Sequence, residues 1–314
     1  MFAINILFQI LILPLIIASI ILFIAWKPLK KEDSAIAEGF WSFPLSIGLA
    51  FFISYWNMLG LPEMPPNEST QWLIFIALFS IIIGLIDGYI KLPKIINYII
   101  KFLSVIGVSY ISLFQLIKGS WETNQSATNL GIVSVLGFIF YFLYEKNSNL
   151  KLAEEKEDVF SPIINTGLFI GGTAVLSLIS SSLALAKFSG ILGSIFIPLF
   201  LIALLKPTFS LKKSFSVISL MFIAIYINIW YFSYVKSTAG FFVLALAPLI
   251  PLVSNLSFFK KFSTIKIILI RAVLAIIPII LALLLSYDFN KKEDDYYGYL
   301  EQKQASIYNH QQYL

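Results

Sequence analysis

"MFAINILFQILILPLIIASIILFIAW", residues 1–26, carries no charged side chain, and the first charge on a side chain comes at Lys27. A helix rises 1.5 Å per residue, so roughly 20 apolar residues cross the hydrocarbon core of a bilayer. The stretch is long enough for one crossing. It lacks the basic start and the small-residue cleavage site of a secretory signal peptide, so we interpret it as a retained membrane anchor.

Similar apolar runs recur along almost the whole chain of 314 residues. Hydrophobic residues make up 59% of the composition and charged residues 12%, which is more apolar surface than a soluble domain could bury. The sequence therefore predicts an all-α, polytopic integral membrane bundle. We place about ten transmembrane helices. They cover residues 3–26, 40–60, 71–90, 95–117, 128–144, 162–186, 190–206, 214–235, 238–258 and 266–287.

The lysines predict the orientation of these spans. They concentrate in every second connection, beginning with Lys27, Lys30 and Lys31 after the first span, whereas each intervening connection holds one or none. Because cytoplasmic loops carry an excess of Lys and Arg, the lysine-rich connections are expected on the cytoplasmic side. Both termini then lie on the outer side, and we expect the protein in the inner (plasma) membrane of a bacterium.

The domain organisation is simple. Residues 1–292 form a single transmembrane domain, which the charged connector at residues 145–162 divides into five plus five spans. Halves with an odd number of spans would be inverted relative to each other, as in many secondary transporters. The two halves show no convincing sequence similarity, so this division rests on the span count alone.

A short tyrosine-rich tail follows at residues 293–314 and is expected on the outer side. It either lies as a frayed or interfacial segment or docks a protein partner, for which tyrosine is a favourable contact residue. The tyrosines considered for docking are Tyr296, Tyr297, Tyr299 and Tyr308.

The polar stretch "LPEMPPNESTQW", residues 61–72, connects the second and third spans on the outer side. Its prolines forbid a continuous helix, and its Asn, Ser and Thr side chains can cap the helix that starts near Gln71. Trp72 is then expected at the membrane interface, where indoles are enriched. The stretch is either a rigid capped turn with an aromatic anchor or a recognition surface that includes Glu63 and Glu68.

Ionisable side chains inside spans are energetically costly and are therefore functional candidates. Asp87 lies near the inner end of the third span, and Arg271, the only arginine, lies at a similar depth in the tenth. We predict an ion pair between them, which would neutralise both charges and hold the two spans together. In the alternative, Asp87 meets Lys91 one turn on, and Arg271 snorkels to the cytoplasmic interface.

The sixth span combines small and polar residues. Gly167 and Gly171 form a GxxxG step, and Thr173, Ser177 and Ser181 recur at intervals of four on one helix face. Such a face favours close helix packing with hydroxyl hydrogen bonds between helices. The alternative is that this face lines a polar path.

Two later spans contain further candidates. Pro248 and Pro251 are expected to kink or unwind the ninth span, because proline breaks helical hydrogen bonding. Asn228 in the eighth span is either an interhelical hydrogen-bonding residue, which we favour, or part of a substrate pocket.

The sequence excludes several kinds of chemistry. It contains no cysteine, and its only histidine is His310, so thiolate sites and histidine bases within the spans are excluded. No phosphate-binding glycine motif or carboxylate cluster is present, so no catalytic residue, cofactor or metal is predicted. The net charge of +5 mainly reflects loop lysines, and nucleic acid is not an expected partner.

Three functions from different classes are consistent with these patterns, all with membrane lipids as partners. The one we favour is a permease or channel-like protein for a small neutral or weakly polar solute. The second is a non-catalytic structural subunit of a larger membrane complex. The third is a membrane enzyme that acts on a lipid-linked substrate, although the loops lack an evident set of acid, base and nucleophile.

Overall fold

The computed structural model describes most of the chain, namely residues 2–31, 41–90, 92–147, 160–205, 214–235, 237–255, 259 and 262–287. Within those ranges 88% of the residues are helical and none lies in a strand. The all-α prediction is confirmed. Most of the charged connector and the tail with Tyr296, Tyr297, Tyr299 and Tyr308 lie outside the described residues, so the predictions for them stay predictions.

The helices are numbered in chain order. They are α1 (Phe2–Leu7), α2 (Leu13–Lys31), α3 (Ser42–Leu59), α4 (Leu73–Tyr89), α5 (Lys94–Gly119), α6 (Thr123–Asn147), α7 (Phe160–Ile179), α8 (Leu183–Leu205), α9 (Phe215–Phe232), α10 (Thr238–Leu246) and α11 (Thr264–Ser286). A π-helical segment, Phe8–Ile12, joins α1 to α2. Short 3-10 helices cover Ser69–Trp72 before α4 and Ile250–Asn255 after α10.

Nine helices in the described part of the chain are long and apolar enough to cross a membrane, one fewer than the predicted ten. These helices indicate a membrane location. The difference falls on the ninth predicted span: α10 ends at Leu246, just before Pro248, and Pro251 lies in the following 3-10 helix. Proline lacks an N–H donor and its ring clashes with the preceding turn, so two prolines three residues apart disfavour the α-helix here, whereas α8 and α11 each continue through a single internal proline.

The boundary between the sixth and seventh spans also differs from the prediction. α7 ends at Ile179 and α8 begins at Leu183, so the three intervening serines form a tight turn. Ser181 has a φ of 60°, and the N–H of Ser182 donates to the Ser177 carbonyl at 2.9 Å. Ser181 therefore lies in the turn that ends α7, and its predicted place on the polar face of that helix was wrong. Serine hydroxyls compete for backbone hydrogen bonds and favour such ends.

α9 lies at the centre of the bundle, where 78% of its apolar span is buried in protein. It packs against α4, α5 and α6, while α7 pairs with α8 and α11. Aromatic rings fill the space between α7 and α9: the ring centroids of Phe169 and Phe222 are 4.7 Å apart, and those of Phe169 and Tyr226 are 5.6 Å apart.

Candidate functional site

Asp87, Lys101 and Glu145 meet at one end of the bundle, and we call them the charged cluster. The Lys101 ammonium lies 3.2 Å from a carboxylate oxygen of Asp87 and 2.6 Å from one of Glu145. The exposed fractions of the side chains are 3% for Lys101, 13% for Asp87 and 26% for Glu145. One buried cation therefore faces two carboxylates, and Glu145 has the greatest access to the surroundings.

The helix ends explain why these three residues meet. Asp87 lies two residues before the end of α4, and Glu145 lies two residues before the end of α6. Short connections make α4, α5 and α6 successively antiparallel, so these ends lie beside the start of α5. The Cα–Cβ bonds of a helix tilt toward its N-terminus, so the long side chain of Lys101 reaches back from the start of the third turn of α5 toward both carboxylates.

Hydrogen bonds connect the charged cluster to α9. The Ser216 hydroxyl, at the start of α9, donates to Asp87 Oδ2 at 2.7 Å, and the Tyr141 hydroxyl donates to Ser216 Oγ at 2.7 Å. The Lys101 ammonium also lies 5.7 Å from the centre of the Tyr141 ring. Ser216 and Tyr141 are buried, so this chain satisfies polar groups that solvent does not reach.

The predicted ion pair between Asp87 and Arg271 was wrong. Asp87 pairs with Lys101, and α4 packs mainly on α3 and α9. Arg271 is 1% exposed and its Nε donates to Ser254 Oγ at 2.6 Å, so it does not snorkel to the interface either. Lys91, the alternative partner of Asp87, lies outside the described residues.

Lys101 and Glu145 were not among the residues predicted from the sequence. Their sequence positions nevertheless bear on their roles. Lys101 lies within "IINYIIKFLSVIG", residues 95–107, where a lysine is flanked on both sides by apolar residues. Such a lysine is an intramembrane charge and should be treated as a functional candidate. Glu145 opens the polar connector in the sequence, and only the continuation of α6 to Asn147 assigns it to a helix.

The described residues contain no group of three or more His, Cys, Asp or Glu side chains that could hold a metal ion. The charged cluster contains two carboxylates, those of Asp87 and Glu145. The ammonium of Lys101 contacts both of them, so the charge that a cation would supply is already present.

A cleft of about 540 Å³ lies between α6 and α10, with α9 as its floor. No charged side chain lines it among the described residues. Aromatic rings come from all three helices, including Phe140 of α6, Phe222 of α9, and Phe241 and Phe242 of α10. The lining of the cleft is therefore apolar and rich in aromatic side chains.

The few polar groups of the cleft concentrate at the end opposite the charged cluster. Asn129 lies near the start of α6, and Trp230 and Tyr231 lie near the end of α9. The Tyr231 hydroxyl donates to Asn129 Oδ1 at 3.5 Å, the long limit of a hydrogen bond, and Trp121 packs edge-on against the Tyr231 ring at 5.4 Å. The cleft thus combines an apolar body with one weakly polar, uncharged end.

The break in the ninth predicted span lies in the wall of the cleft. Leu246, the last residue of α10, and Leu249 both line the cleft, and Pro248 lies between them. The backbone continues there with short-range bonds, such as the Leu249 N–H to the Leu246 carbonyl at 2.8 Å. Irregular backbone at membrane depth is tolerated where it is buried in protein or lines a cavity.

The predicted packing at the GxxxG step was wrong. A Cβ added at Gly167 or Gly171 would meet no atom within 4 Å. The close contact falls one residue later, at Gly172, where a Cβ would lie 2.9 Å from Ile279 of α11 and 3.0 Å from Leu244 of α10. The helix is rotated relative to the predicted face, because α7 packs between α8 and α11.

The hydroxyl and amide groups predicted to bond between helices donate within their own helix, although the Thr173 hydroxyl also interacts with the Tyr226 hydroxyl of α9. Thr173 donates to the Phe169 carbonyl and Ser177 to the Thr173 carbonyl, both at 2.8 Å. Asn228 Nδ2 donates to the Ala224 carbonyl at 2.9 Å, and Asn228 does not line the cleft. All three predicted residues are buried, and a carbonyl one turn back is within their reach.

In the connection at residues 61–72, the side chain that caps the following helix is not one of those predicted. Gln71 Oε1 accepts hydrogen bonds from the N–H groups of Asn67 at 2.9 Å and Glu68 at 3.3 Å, and Glu68 completes a capping box. The half-buried indole of Trp72 packs edge-on against Phe114 of α5 at 5.6 Å. Glu63 and Glu68 are exposed, and their role in recognition stays a prediction.

No family model matches the chain, and neither a curated protein nor a solved structure is similar to it.

Proposed function

We propose that the protein is a permease that carries a small uncharged solute in the cleft between α6, α9 and α10. The main support is the combination of a volume of about 540 Å³ with a lining that has no charged side chain among the described residues. Small-molecule sites are typically apolar clefts of about 300–1,000 Å³ with a few polar groups. A charged solute would find no partner there and would lose its hydration at a cost of several kcal/mol.

The distribution of side chains favours a solute with an apolar or aromatic body and few polar groups. Its body would pack along α9 between the rings of Phe140 and Phe241, which face the cleft from opposite walls. Its polar group would point toward the Asn129 amide and the Tyr231 hydroxyl, where hydrogen-bonding groups are available. Aromatic side chains prefer offset or edge-on contacts with rings, so a planar ring would be well accommodated.

The helices around the cleft also support transport. α10 is discontinuous at Pro248, and secondary transporters often bind their substrates beside discontinuous helices. The proposal retains the predicted orientation in a bacterial inner membrane, with lysine-rich connections in the cytoplasm, both termini outside and five spans on either side of the connector. In that orientation the polar end of the cleft lies toward the outer side and the charged cluster toward the cytoplasm.

Osmotic swelling of proteoliposomes tests the proposal without a known substrate. Purified protein in vesicles is mixed with a panel of uncharged solutes and with charged solutes of the same size, and light scattering follows vesicle volume. We expect at least one uncharged solute with an apolar body to enter faster than into protein-free vesicles, while the charged solutes do not. If no solute enters faster, the permease proposal fails and the structural-subunit alternative becomes the better one.

A matched pair of variants locates the path. Ala245→Trp places an indole inside the cleft, whereas Ala239→Trp adds the same group to an exposed position of α10 that does not line the cleft. We expect Ala245→Trp to reduce solute entry at least about tenfold, corresponding to roughly 1.4 kcal/mol, and Ala239→Trp to leave entry unchanged. Equal entry through both variants would show that the solute does not use the cleft.

A further inference from the structure

We infer that the cleft opens sideways into the lipid and takes an uncharged amphiphile from the bilayer, with its hydrocarbon body along α9 and its polar head near Asn129 and Tyr231. The inference rests on the proposed permease function, because it names the class of solute that the same cleft would hold. The opening of the cleft, its length and the place of its polar groups all fit such a molecule.

The opening lies between the exposed edges of α6 and α10. Ile132, Leu136 and Ile139 follow one another at helical spacing along α6, and each of them lines the cleft while being about half exposed. Phe242 and Leu246 form the matching edge of α10. Among the described residues α10 packs against α7 and α11 rather than against α6, so a gap remains between the two edges.

This gap lies at the depth of the hydrocarbon core. Its edge on α6, residues 132–139, occupies the middle of a helix that runs from Thr123 to Asn147. A helix of that length spans about 37 Å, so its middle lies inside a hydrocarbon core of about 30 Å. The bilayer core contains no water but is filled with lipid chains. A molecule that enters through the gap therefore comes from the bilayer.

The length of the cleft matches one leaflet. Along α9 its lining runs from Tyr231 to Phe222, and along α6 from Asn129 to Leu143. At 1.5 Å per residue these stretches measure about 14 Å and about 21 Å, and one leaflet contributes roughly 15 Å of hydrocarbon. Beyond α10 the 3-10 helix Ile250–Asn255 lies against α6. The cleft therefore has room for the chain of a molecule that belongs to one leaflet.

The polar end of the cleft lies where an amphiphile in the bilayer keeps its head. Asn129 lies near the start of α6, and Tyr231 is the last residue but one of α9. The indoles of Trp121, which packs on Tyr231, and Trp230 belong to the same end, and indoles are enriched at membrane interfaces. The amide, hydroxyl and indole groups can bond a hydroxyl or carbonyl head. An ionised head would lose its hydration, because no charged side chain among the described residues lines the cleft.

Photolabelling of the full chain in phosphatidylcholine vesicles tests the inference. The probe is a long-chain alcohol with a diazirine in its chain, included during reconstitution so that both leaflets contain it, and mass spectrometry identifies the labelled residues. Tyr226 on the floor of the cleft is the diagnostic residue, because its ring centroid lies 6.5 Å from that of Phe140 and 4.9 Å from that of Phe241. Leu220 of the same helix is fully buried and does not line the cleft, so it is the internal control.

We expect Tyr226 to carry at least about tenfold more label than Leu220, and an excess of unlabelled alcohol to remove that label. The same probe with a sulfate in place of the hydroxyl should leave Tyr226 unlabelled. Leu136→Trp places an indole at the opening and should reduce the labelling of Tyr226 about tenfold. Val135→Trp adds the same group at an equally exposed neighbour that does not line the cleft, and should leave the labelling unchanged.

Equal labelling of Tyr226 and Leu220 in the parent protein would overturn the inference, as would a sulfated probe that labels Tyr226 as strongly as the alcohol. Equal labelling in Leu136→Trp and Val135→Trp would refute the sideways opening, and the parent measurement stands even if Leu136→Trp fails to fold. Labelling of Tyr226 without swelling by any solute would refute the permease and retain the amphiphile site. Swelling by an uncharged solute without labelling of Tyr226 would refute the amphiphile site and retain the permease.

Discussion

α9 and α6 lie side by side and both line the cleft, yet they are buried to very different extents. Protein buries 78% of the apolar span of α9 but only 11% of that of α6. α9 packs against helices on several sides, whereas α6 contacts mainly α5 and α9. Lipid tails are as apolar as a neighbouring helix, so the hydrophobic effect does not hold α6 against the bundle.

Two helices of similar apolar composition can therefore differ in how firmly neighbouring helices hold them. Tight packing on several sides holds α9 at the centre of the bundle. α6 is held on one side only, by the Lys101–Glu145 pair, the Tyr141–Ser216 hydrogen bond and the buried Tyr144 ring, which packs against Phe215 and Phe222 of α9. The side of α6 that faces away from α5 and α9 has no α-helix packed on it among the described residues, and this side borders the cleft.

The largest effect is expected from Lys101→Met, which removes the cation that holds the end of α6. Two carboxylates would then face each other without their shared partner, and loss of one member of a buried ion pair costs about 3–5 kcal/mol. We expect the free energy of unfolding in detergent to fall by that amount. Lys118→Met, at the exposed end of the same helix with its ammonium 4.6 Å from the Phe114 ring centre, should cost less than about 1 kcal/mol.

A double variant separates charge from packing in this result. Asp87→Asn combined with Lys101→Met removes one charge of each sign and should recover part of the lost stability. If the double variant is as unstable as Lys101→Met alone, the loss comes from the packing of the lysine side chain, and the charged cluster does not hold α6.

Much of the fold can be predicted from the sequence, because lipid constrains the backbone of each segment independently of the other segments. Backbone groups in hydrocarbon must bond within the chain, so a long apolar run is a helix whatever its neighbours are. The break in the ninth predicted span was equally local, since Pro248 and Pro251 act on their own helix. Each of these features depends on residues within one segment.

The candidate site depends on which helices become neighbours, and hydropathy does not carry that information. α6 and α9 have similar hydropathy, although one faces mainly lipid and the other mainly protein. Asp87 and Arg271 are opposite in charge and similar in predicted depth, but Lys101 also has the opposite charge to Asp87, and its helix comes next in the chain. The cleft joins α6 to α9, whose nearest lining residues, Leu143 and Phe222, are 79 positions apart, and no local pattern indicates that the two helices meet.

A smaller effect is expected from glycine-to-alanine substitutions at close helix contacts, one in α4 and one in α6. A Cβ at Gly84 of α4 would lie 2.6 Å from Val217 of α9, whereas one at Gly137 of α6 would lie 3.1 Å from Val105. Gly84→Ala should cost about 1–3 kcal/mol, because overpacking strains a core that cannot yield. Gly137→Ala should be close to neutral, because α6 can shift toward lipid.

Gly107→Ala on α5 is the control for this pair, since a Cβ there would meet no atom within 4 Å. Alanine favours a helix over glycine by about 1 kcal/mol, so this variant should be more stable than the parent protein. Unfolding in detergent gives all three values under one set of conditions. A Gly137→Ala cost as large as that of Gly84→Ala would show that α6 is as firmly fixed as α4 and α9, and the contrast between the two helices would fail.

The smallest effect is expected from replacing two buried asparagines, one in α9 and one in the neighbouring α7. Asn228 of α9 is fully buried and makes one hydrogen bond, to the Ala224 carbonyl, whereas Asn165 of α7 is 2% exposed and neither of its side-chain polar atoms has a partner among the described residues. A buried polar group without a partner costs about 1–3 kcal/mol. Asn165→Leu removes two such groups and Asn228→Leu only one, so Asn165→Leu should stabilise the protein by about 1 kcal/mol more in the same unfolding measurement. If Asn165→Leu lowers the stability instead, the amide is hydrogen-bonded in the folded protein, and the space around it holds a polar partner rather than packed side chains.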